Sequence, residues 1–563
     1  MDLIMLGGTV LTLDARDSRA EAIAVDDGRI VATGTSAEVA ALANEGTKTV
    51  RLEGRTVVPG FIDPHNHFSL TAFEPVAVDC SMPPLDGKRG ALDAIAAAAA
   101  GAEAGRWIWG IGYSSRRGRE PAELMRRELD AAAPENPVCV IDSSVHACYA
   151  NSAALAIAGI AAATPDPHGG RILREADGSP AGMLWERAMN PVHQRSMAGL
   201  IEYYGEQAVA DLVEQNALRH LAAGITSVGD ANVMPEGAAM YRMADSRGQL
   251  PIAIHQMRAG DQFFAPPERA AAGEFTEDDV SDRLRGGTVK IFMDPVFPRS
   301  AGWKVHADGH REHLGAPYYT QEEADRLALA AASRGLQVAI HCLGTWAIEQ
   351  GLDALERAIR EYPSAAVTHR IEHFSQPTRE QIARASALGV IVCHQPPFFY
   401  QGGDRAAVTL AELGIDAPPA PMRMLLDEGV AVAASSDFPC APLEPLKGLF
   451  SIVSRRTRDG VEQVAPEEAI SATEGLRLYS LGGARAMSRD HEVGTLEAGK
   501  RADMVVLSHD PGAVAAEDIR EITVQQTYVD GQRLFERLPA VHQARAATGR
   551  PPPSAEPRAA TAP

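Results

Sequence analysis

Between residues 57 and 437 the chain repeats one unit, a strand-length apolar run followed by a helical stretch rich in alanine, leucine and glutamate. That alternation is the signature of βα units building a parallel sheet. The runs fall at 57–62, 224–230, 251–257, 287–294, 336–342, 367–374, 389–396 and 429–437. Eight such runs predict an α/β fold, a closed (β/α)8 TIM-like barrel, whose chemistry belongs at the C-terminal ends of the strands. Those ends carry His65 and His67, Asp230, His255, Lys290, His341, His373, His394 and Asp437. One ionisable residue ending a strand means little. A ring of them is hard to explain as packing, because each buried polar group needs its own partner.

The two ends of the chain have a different texture. Residues 2–35 are short strand patterns separated by turns, with Asp27-Gly28 a hairpin signal between two apolar runs. Similar pieces return at 502–507 and 522–531. Neither end has enough strands for a sheet of its own. We therefore expect one small β-sandwich domain built from residues 1–55 and 490–538, with the barrel, 56–489, inserted between them. The gap after the first barrel strand, about 68–220, must hold a large insertion. It leaves the barrel beside His67, so it is expected to cap the strand ends. It has strand-like pieces at 106–113 and 137–142 and helical ones at 91–104 and 206–222. The Pro-rich tail, 539–563, reads as disordered.

Composition narrows the partners. A net charge of -21 argues against nucleic acid or an anionic membrane, since both need basic patches. A small-molecule substrate is the expected partner, and a homodimer is left open. The N-terminus lacks a basic segment followed by an apolar run, and no stretch has the apolar length of a bilayer span. The six cysteines form no CxxC pair, which reads as reduced thiols in a cytoplasmic protein.

In an extended chain residues i and i+2 share a side, so His65 and His67 can aim at one point beyond the strand. Zinc accepts imidazole nitrogen and carboxylate oxygen, which makes His65, His67, His341 and His373 acceptable ligands and lets Asp437 add an oxygen. Lys290 is the odd member, because an ammonium has no lone pair to give. Two roles are open to it: pairing with Asp294 or another carboxylate, or modification by CO2 to an anionic bridge between metals.

The segment 59–67 (PGFIDPHNH), Lys290 in VKIFMD, His341 in IHCLG, His373 in RIEH and Asp437 in SSDFP, followed by 493–507 (VGTLEAGKRADMVVL), resemble the amidohydrolase superfamily. The insertion resembles the branch that contains N-substituted formamide deformylase, through 142–146 (DSSVH), 151–155 (NSAAL), 164–170 (TPDPHGG) and 182–186 (GMLWE). The resemblance covers nearly the whole chain except the tail. It implies a divalent metal centre, most simply two Zn2+ per chain. His65, His67 and Asp437 would hold one ion and His341 and His373 the other, with carboxylated Lys290 spanning both. A metal-activated hydroxide would then attack a carbonyl, with Asp437 as the catalytic residue moving a proton to the leaving nitrogen. The implied reaction is C–N hydrolysis of an amide, N-substituted formamide or cyclic amide. A one-metal arrangement on His65, His67, His341 and Asp437, with His373 positioning water or substrate, is that of deaminase-like relatives, and a deaminase or an ester or lactone hydrolase using the same metal site is the alternative. A metal-free binding protein on the same barrel is disfavoured by the full ligand set.

Other residues have two readings each. Glu372 alternates to the strand face opposite His373, which favours a salt bridge with Arg370 or a neighbour. His255 reads as a barrel or rim residue, and His394 as either a substrate contact or a rim histidine. His146 and Asn151, in the insertion, reach the pocket or serve internal hydrogen bonds. Relatives of this branch often have Asp after the glycine following the fifth-strand histidine, whereas this chain has Gly344-Thr345-Trp346. Phe297, Trp303, Trp346, Phe398, Phe399, Tyr400 and Phe438 either line an apolar pocket for an aryl or alkyl group or cover the barrel's end. Arg299 and Lys304 hold a substrate carboxylate or face solvent. The expected substrate contacts are His146, Trp303, Trp346, His394 and Phe438.

Overall fold

The computed structural model describes residues 1–115, 122–260, 281–296, 300–306, 308, 310–364, 366–415 and 417–538. The tail, Phe297 and Arg299 lie outside the described residues. All eight expected barrel strands form one parallel sheet: β1 (Phe61–Asn66), β2 (Ile225–Val233), β3 (Ala253–Ala259), β4 (Leu284–Phe292), β5 (Gln337–Cys342), β6 (Arg370–His373), β7 (Ile391–His394) and β8 (Ala431–Ala434). They are laid side by side in chain order. The ring is nearly closed. Where β1 ends and just past β8, the Asp437 N–H donates to the His65 carbonyl at 2.8 Å and the His67 N–H to the Phe438 carbonyl at 2.9 Å.

β5 shows why these runs become barrel strands. Every residue of Gln337–Cys342 is buried, on the barrel interior or under the helical layer, so the run has no polar face to alternate with. The helix that follows, Thr345–Glu361, buries Ile348, Leu352 and Leu355 at helical spacing against that layer. Its Gly351 lets the helix close on the strand, since a Cβ there would sit 2.7 Å from Cys342 Sγ.

The first predicted strand, 57–62, is in fact two. Thr56–Pro59 pairs antiparallel with Met504–Leu507 and parallel with Thr9–Leu11, and only Phe61 onward enters the barrel. Gly60 is the crossing point. Its N–H donates to the Asp503 carbonyl at 2.8 Å, and a Cβ there would lie 2.3 Å from Thr226 Oγ1. Both chain ends therefore share a six-stranded sheet, which also holds Arg19–Ala20, Val524–Val529 and Gln532–Glu536. A four-stranded sheet of N-terminal strands packs with it around Met5, Ile23, Val57, Met504 and Tyr528. The Asp27-Gly28 hairpin forms, with φ of 47° and 70° as a two-residue turn of this hand requires.

The insertion builds a six-stranded mixed sheet, with Val138–Asp142 and Ala147–Ala150 near its centre, around its own apolar cluster. It returns to β2 through the long helix Asn190–Ala222, kinked at Gly205. The predicted helix over 206–222 is thus the second limb of a longer one. Among the described residues no helix is long and apolar enough to cross a membrane, and all six cysteines are free thiols.

Candidate metal centre

His65 sits at the end of β1 and His67 just past it, and both point at one carboxylate. His65 Nε2 lies 3.5 Å and His67 Nε2 3.0 Å from Asp437 Oδ1. The His373 ring lies 4.9 Å from the His65 ring and 4.4 Å from that of His341. The six residues expected as ligands thus come from β1, β4, β5, β6 and the segment after β8, and five of them form one chain of close contacts. Lys290, fully buried on β4, interacts electrostatically with His65, His341, His373 and Asp437.

Buried hydrogen bonds orient the imidazoles. His65 Nδ1 bonds Glu372 Oε2, and His373 Nδ1 donates to Gln395 Oε1 at 2.7 Å, which leaves the Nε2 lone pairs for the centre. Glu372 in turn accepts from Arg370 Nε at 2.5 Å and Nη2 at 2.8 Å, and Arg370 also reaches the Pro64 carbonyl at 2.9 Å. Burial would push the Glu372 carboxyl up, but Arg370 and then His65 hold it well below the usual range. Asp437 is likewise held low, against its burial, by His65, His67 and His373. Burial, reinforced by Lys290, pushes His65 down to about 4. His341 and His373 are pushed well below the usual imidazole range by burial and neighbouring cations, so these rings are neutral and their lone pairs available.

Two observations fit this donor set to a divalent transition metal such as zinc. Lys290 Nζ and both His341 ring nitrogens are buried without a hydrogen-bond partner, a costly arrangement for groups of this polarity. The donor atoms of His65, His373 and Asp437 all lie within 4.8 Å of one another, as do those of His67, Asp437 and Cys440. Burial pushes the Lys290 ammonium down to about 8, toward the neutral amine that reacts with CO2. Pairing of Lys290 with Asp294 does not form, because Asp294 accepts the backbone N–H groups of Ala301, Leu343 and Gly344, each at 2.9 Å. The backbone is also unusual here: His373 has φ of 71° and Asp437 φ of 55°. Non-glycine residues in this region cost about 1–3 kcal/mol each and cluster where a site needs them.

A cavity of about 460 Å3 opens above His341, His373 and Asp437. Phe398, Phe399 and Leu410 give it an apolar wall, while Ser144 and His146 reach it from the insertion. His146 Nδ1 bonds Glu186 Oε2 at 2.7 Å, and that partner raises its pKa against the opposing effect of burial. His394 lines the cavity with Nδ1 bonded to the His373 carbonyl at 2.7 Å.

Several expected contacts lie elsewhere. Trp303, Trp346, Tyr400, Phe438 and Lys304 do not line the cavity. Trp346 occupies the first turn of its helix, its N–H on the Ala301 carbonyl, and packs on the His313 ring at 4.2 Å, with the Trp303 ring 6.4 Å from the same imidazole. Phe438 turns away beyond the left-handed Asp437 and lies under the Arg219 guanidinium at 4.3 Å. Asn151 caps the helix Ser152–Ile157 and bonds Val138 and Asn136, a role internal to the insertion. His255 bonds Thr288 Oγ1 at 2.7 Å inside the barrel, and Asp230 accepts from Tyr241 and the Ser69 N–H.

Sequence reasoning gave Glu372 its salt bridge but missed its hold on His65. Strand alternation separates 372 from 373 only while the backbone stays extended, and His373 leaves that region. The Glu186–His146 and Gln395–His373 pairs carry no local signal. Cys440 was passed over as one of several dispersed thiols.

Residues 48–535 match the sequence profile of the amidohydrolase family. The chain is 39% identical over 538 residues to the N-substituted formamide deformylase of Arthrobacter pascens, covering 95% of this chain and 98% of that one. It is 28% identical to the putative amidohydrolase YtcJ of Bacillus subtilis (strain 168), covering 95% and 100%. A crystal structure of an uncharacterized metal-dependent hydrolase from Pyrococcus horikoshii OT3 superposes with a TM-score of 0.70 at 22% identity, covering 91% of this chain and 99% of that one.

Proposed function

This chain belongs to the amidohydrolase family, and on that premise we propose that it hydrolyses the C–N bond of an amide, with N-substituted formamides as the leading substrate class. The observation that carries the reading is the chain of close contacts among His65, His67, His341, His373 and Asp437, of which His341, His373 and Asp437 line the large cavity, beside a buried amine without a hydrogen-bond partner among the described residues. His65, His67 and Asp437 would hold one divalent ion and His341 and His373 a second, with Lys290, as its carbamate, shared between them. Bound there, zinc supplies Lewis acidity that polarises a carbonyl and makes water acidic near neutral pH.

The remaining work falls to the chain. Asp437, whose carboxyl is held well below the usual carboxylate range, accepts the proton of the attacking water and delivers it to the departing nitrogen. His146, held by Glu186 and facing the cavity, positions the substrate oxygen. Phe398, Phe399 and Leu410 take the apolar N-substituent and exclude bulk water from it. His394 borders the same space. In domain terms, residues 1–59 and 490–538 form one composite β domain, the barrel runs from Phe61 to about residue 489, and about 68–220 form a cap that selects the substrate.

The test is metal content together with turnover. Chain purified after zinc-supplemented expression is expected to carry about two ions and to release amine and formate from N-alkyl and N-aryl formamides. A chain without bound metal would overturn the reading. So would a metal-loaded chain that leaves formamides, simple amides and hydantoins intact while deaminating aminopurines or opening lactones.

A further inference from the structure

A second, smaller cavity of about 70 Å3 borders the centre at His67. Its wall includes His67, whose Nε2 is 3.0 Å from Asp437, and His146, which also lines the large cavity. The two chambers therefore meet at His146, with His67 on the small side and Asp437 on the large. The small chamber has a mixed lining. Met197 and Met234 form part of its apolar side, and His193 Nε2 and Asn232 Oδ1, buried and without hydrogen-bond partners, face the same region. Burial pushes His193 down to about 4, so it is a neutral donor or acceptor rather than a cation. Space of this size holds at least one water, which needs about 10–15 Å3, or a short chain of carbon atoms.

We propose that this chamber is the acyl subsite, receiving the substituent on the carbonyl carbon and limiting it to hydrogen or a short alkyl group. The assignment rests on the amide-hydrolase reading above and adds an orientation to it. Asp437, the residue that hands a proton to the leaving nitrogen, lines the large chamber and not the small one. The nitrogen and its substituent therefore face the large chamber, and the other substituent of the carbonyl points past His67 into the small one. With a formyl group the small chamber keeps water on His193 and Asn232. With a longer acyl group that water is displaced and the methionines are the limit. Methionine yields easily to substitution, which makes these two side chains the natural point of control.

Metal-loaded full-length chain is assayed with N-(2-phenylethyl)formamide, -acetamide and -butyramide, and with N-methylformamide. The wild type is expected to prefer formyl, and Met234→Ala to raise kcat/KM for butyramide relative to formamide by about tenfold or more, the usual worth of pocket methylenes. The ratio between phenylethyl and methyl formamides should stay unchanged in Met234→Ala and fall in Phe399→Ala. Met197→Ala, at the other methionine of the chamber, repeats the experiment should Met234→Ala fold poorly. Unchanged acyl ratios, or acyl ratios that move with Phe399 rather than with the methionines, overturn the proposal.

A second readout does not depend on amide turnover. Thermal stabilisation by formate, acetate, propionate and butyrate is compared between the wild type and the methionine variants. Selective gain of butyrate binding in the variants supports the subsite even where no amide is cleaved, an outcome that would refute only the amide reading. An identical carboxylate ranking in all variants overturns the subsite.

Discussion

Replacing Glu372 with glutamine tests the centre through a single proton. Glu372 and Arg370 are fully buried, and the carboxylate serves Arg370 through both oxygens while also bonding His65 Nδ1. An acceptor-only group opposite Nδ1 fixes the His65 proton there and leaves the lone pair on Nε2. Glutamine offers one oxygen and one amide NH2. With its oxygen toward Arg370, the NH2 donates to Nδ1, the imidazole proton moves to Nε2, and His65 is lost as a ligand. In the reverse orientation the oxygen keeps His65 Nδ1 and Arg370 Nη2 and the NH2 opposes Arg370 Nε, and in both the charge of a buried ion pair is lost, at a cost of about 3–5 kcal/mol. Either way His65 loses the carboxylate that pins its proton on Nδ1, while Arg370 keeps the carbonyls of Pro64 and Ala486. Zinc affinity should then fall about 10–100-fold, the range for lost outer-shell partners, or about 1.4–2.7 kcal/mol. Competition against a chromophoric chelator measures the affinity, and urea unfolding of the metal-free chain measures stability separately. A variant that binds zinc within about threefold of the wild type while unfolding normally would refute the tautomer argument.

Three further outcomes follow from the same geometry. Lys290→Met replaces a buried, unpartnered amine by an apolar chain of similar length; the metal-free protein should lose no stability in urea, whereas bound metal should drop by about half or more and turnover by about a thousandfold. His369 accepts the Val338 N–H on Nδ1 at 3.1 Å, and burial pushes its pKa down to about 4. The unfolded chain therefore takes up this proton first, near pH 6.5, and stability falls as pH drops from there toward 4. His369→Asn keeps an acceptor without titrating, so the loss in unfolding free energy between about pH 7 and about pH 4.5 should shrink by about 2 kcal/mol. Arg455 is fully buried, donates to the carbonyls of Pro419, Ala420, Val464 and Ala465, and stacks on Phe399 at 4.1 Å. Arg455→Lys keeps the charge but cannot span those carbonyls, so KM for bulky N-substituents should rise several-fold with kcat little changed, read by steady-state kinetics.

The barrel was legible because its strands are continuous apolar runs, and the candidate ligands stood out because each lies at or near the end of such a run. Boundaries were less so. Thr56 to Ile62 reads as one strand in composition, and only the close approach of Thr226 to Gly60 explains why the chain changes sheets in the middle. The aromatic residues misled for a related reason. Abundance near strand ends says nothing about direction, and Trp346 and Phe438 are turned outward by a helix start and by the left-handed backbone at Asp437. The partners of the imidazoles were invisible because Glu186, Glu372 and Gln395 owe their positions to tertiary packing. No spacing rule links residue 65 to residue 372.

The seam between β1 and β8 joins fold and site in one set of bonds. These two strands lack the ladder that links every other neighbouring pair in the barrel. What closes the ring instead is the Asp437 N–H on the His65 carbonyl, the His67 N–H on the Phe438 carbonyl, and Asp63, which accepts from the Ser436 N–H at 2.9 Å, the Ser436 hydroxyl and Asn66. The same contacts fix the backbone of three candidate ligands, His65, His67 and Asp437. A ladder would demand extended backbone at residue 437 and would carry its carboxylate away from His67. The left-handed turn at Asp437 replaces regular closure with a short, side-chain-assisted one and aims the carboxylate at both imidazoles. Strain at this position and the irregular seam are thus one feature, and any ligand that draws His65, His67 and Asp437 together also tightens the barrel at its weakest joint.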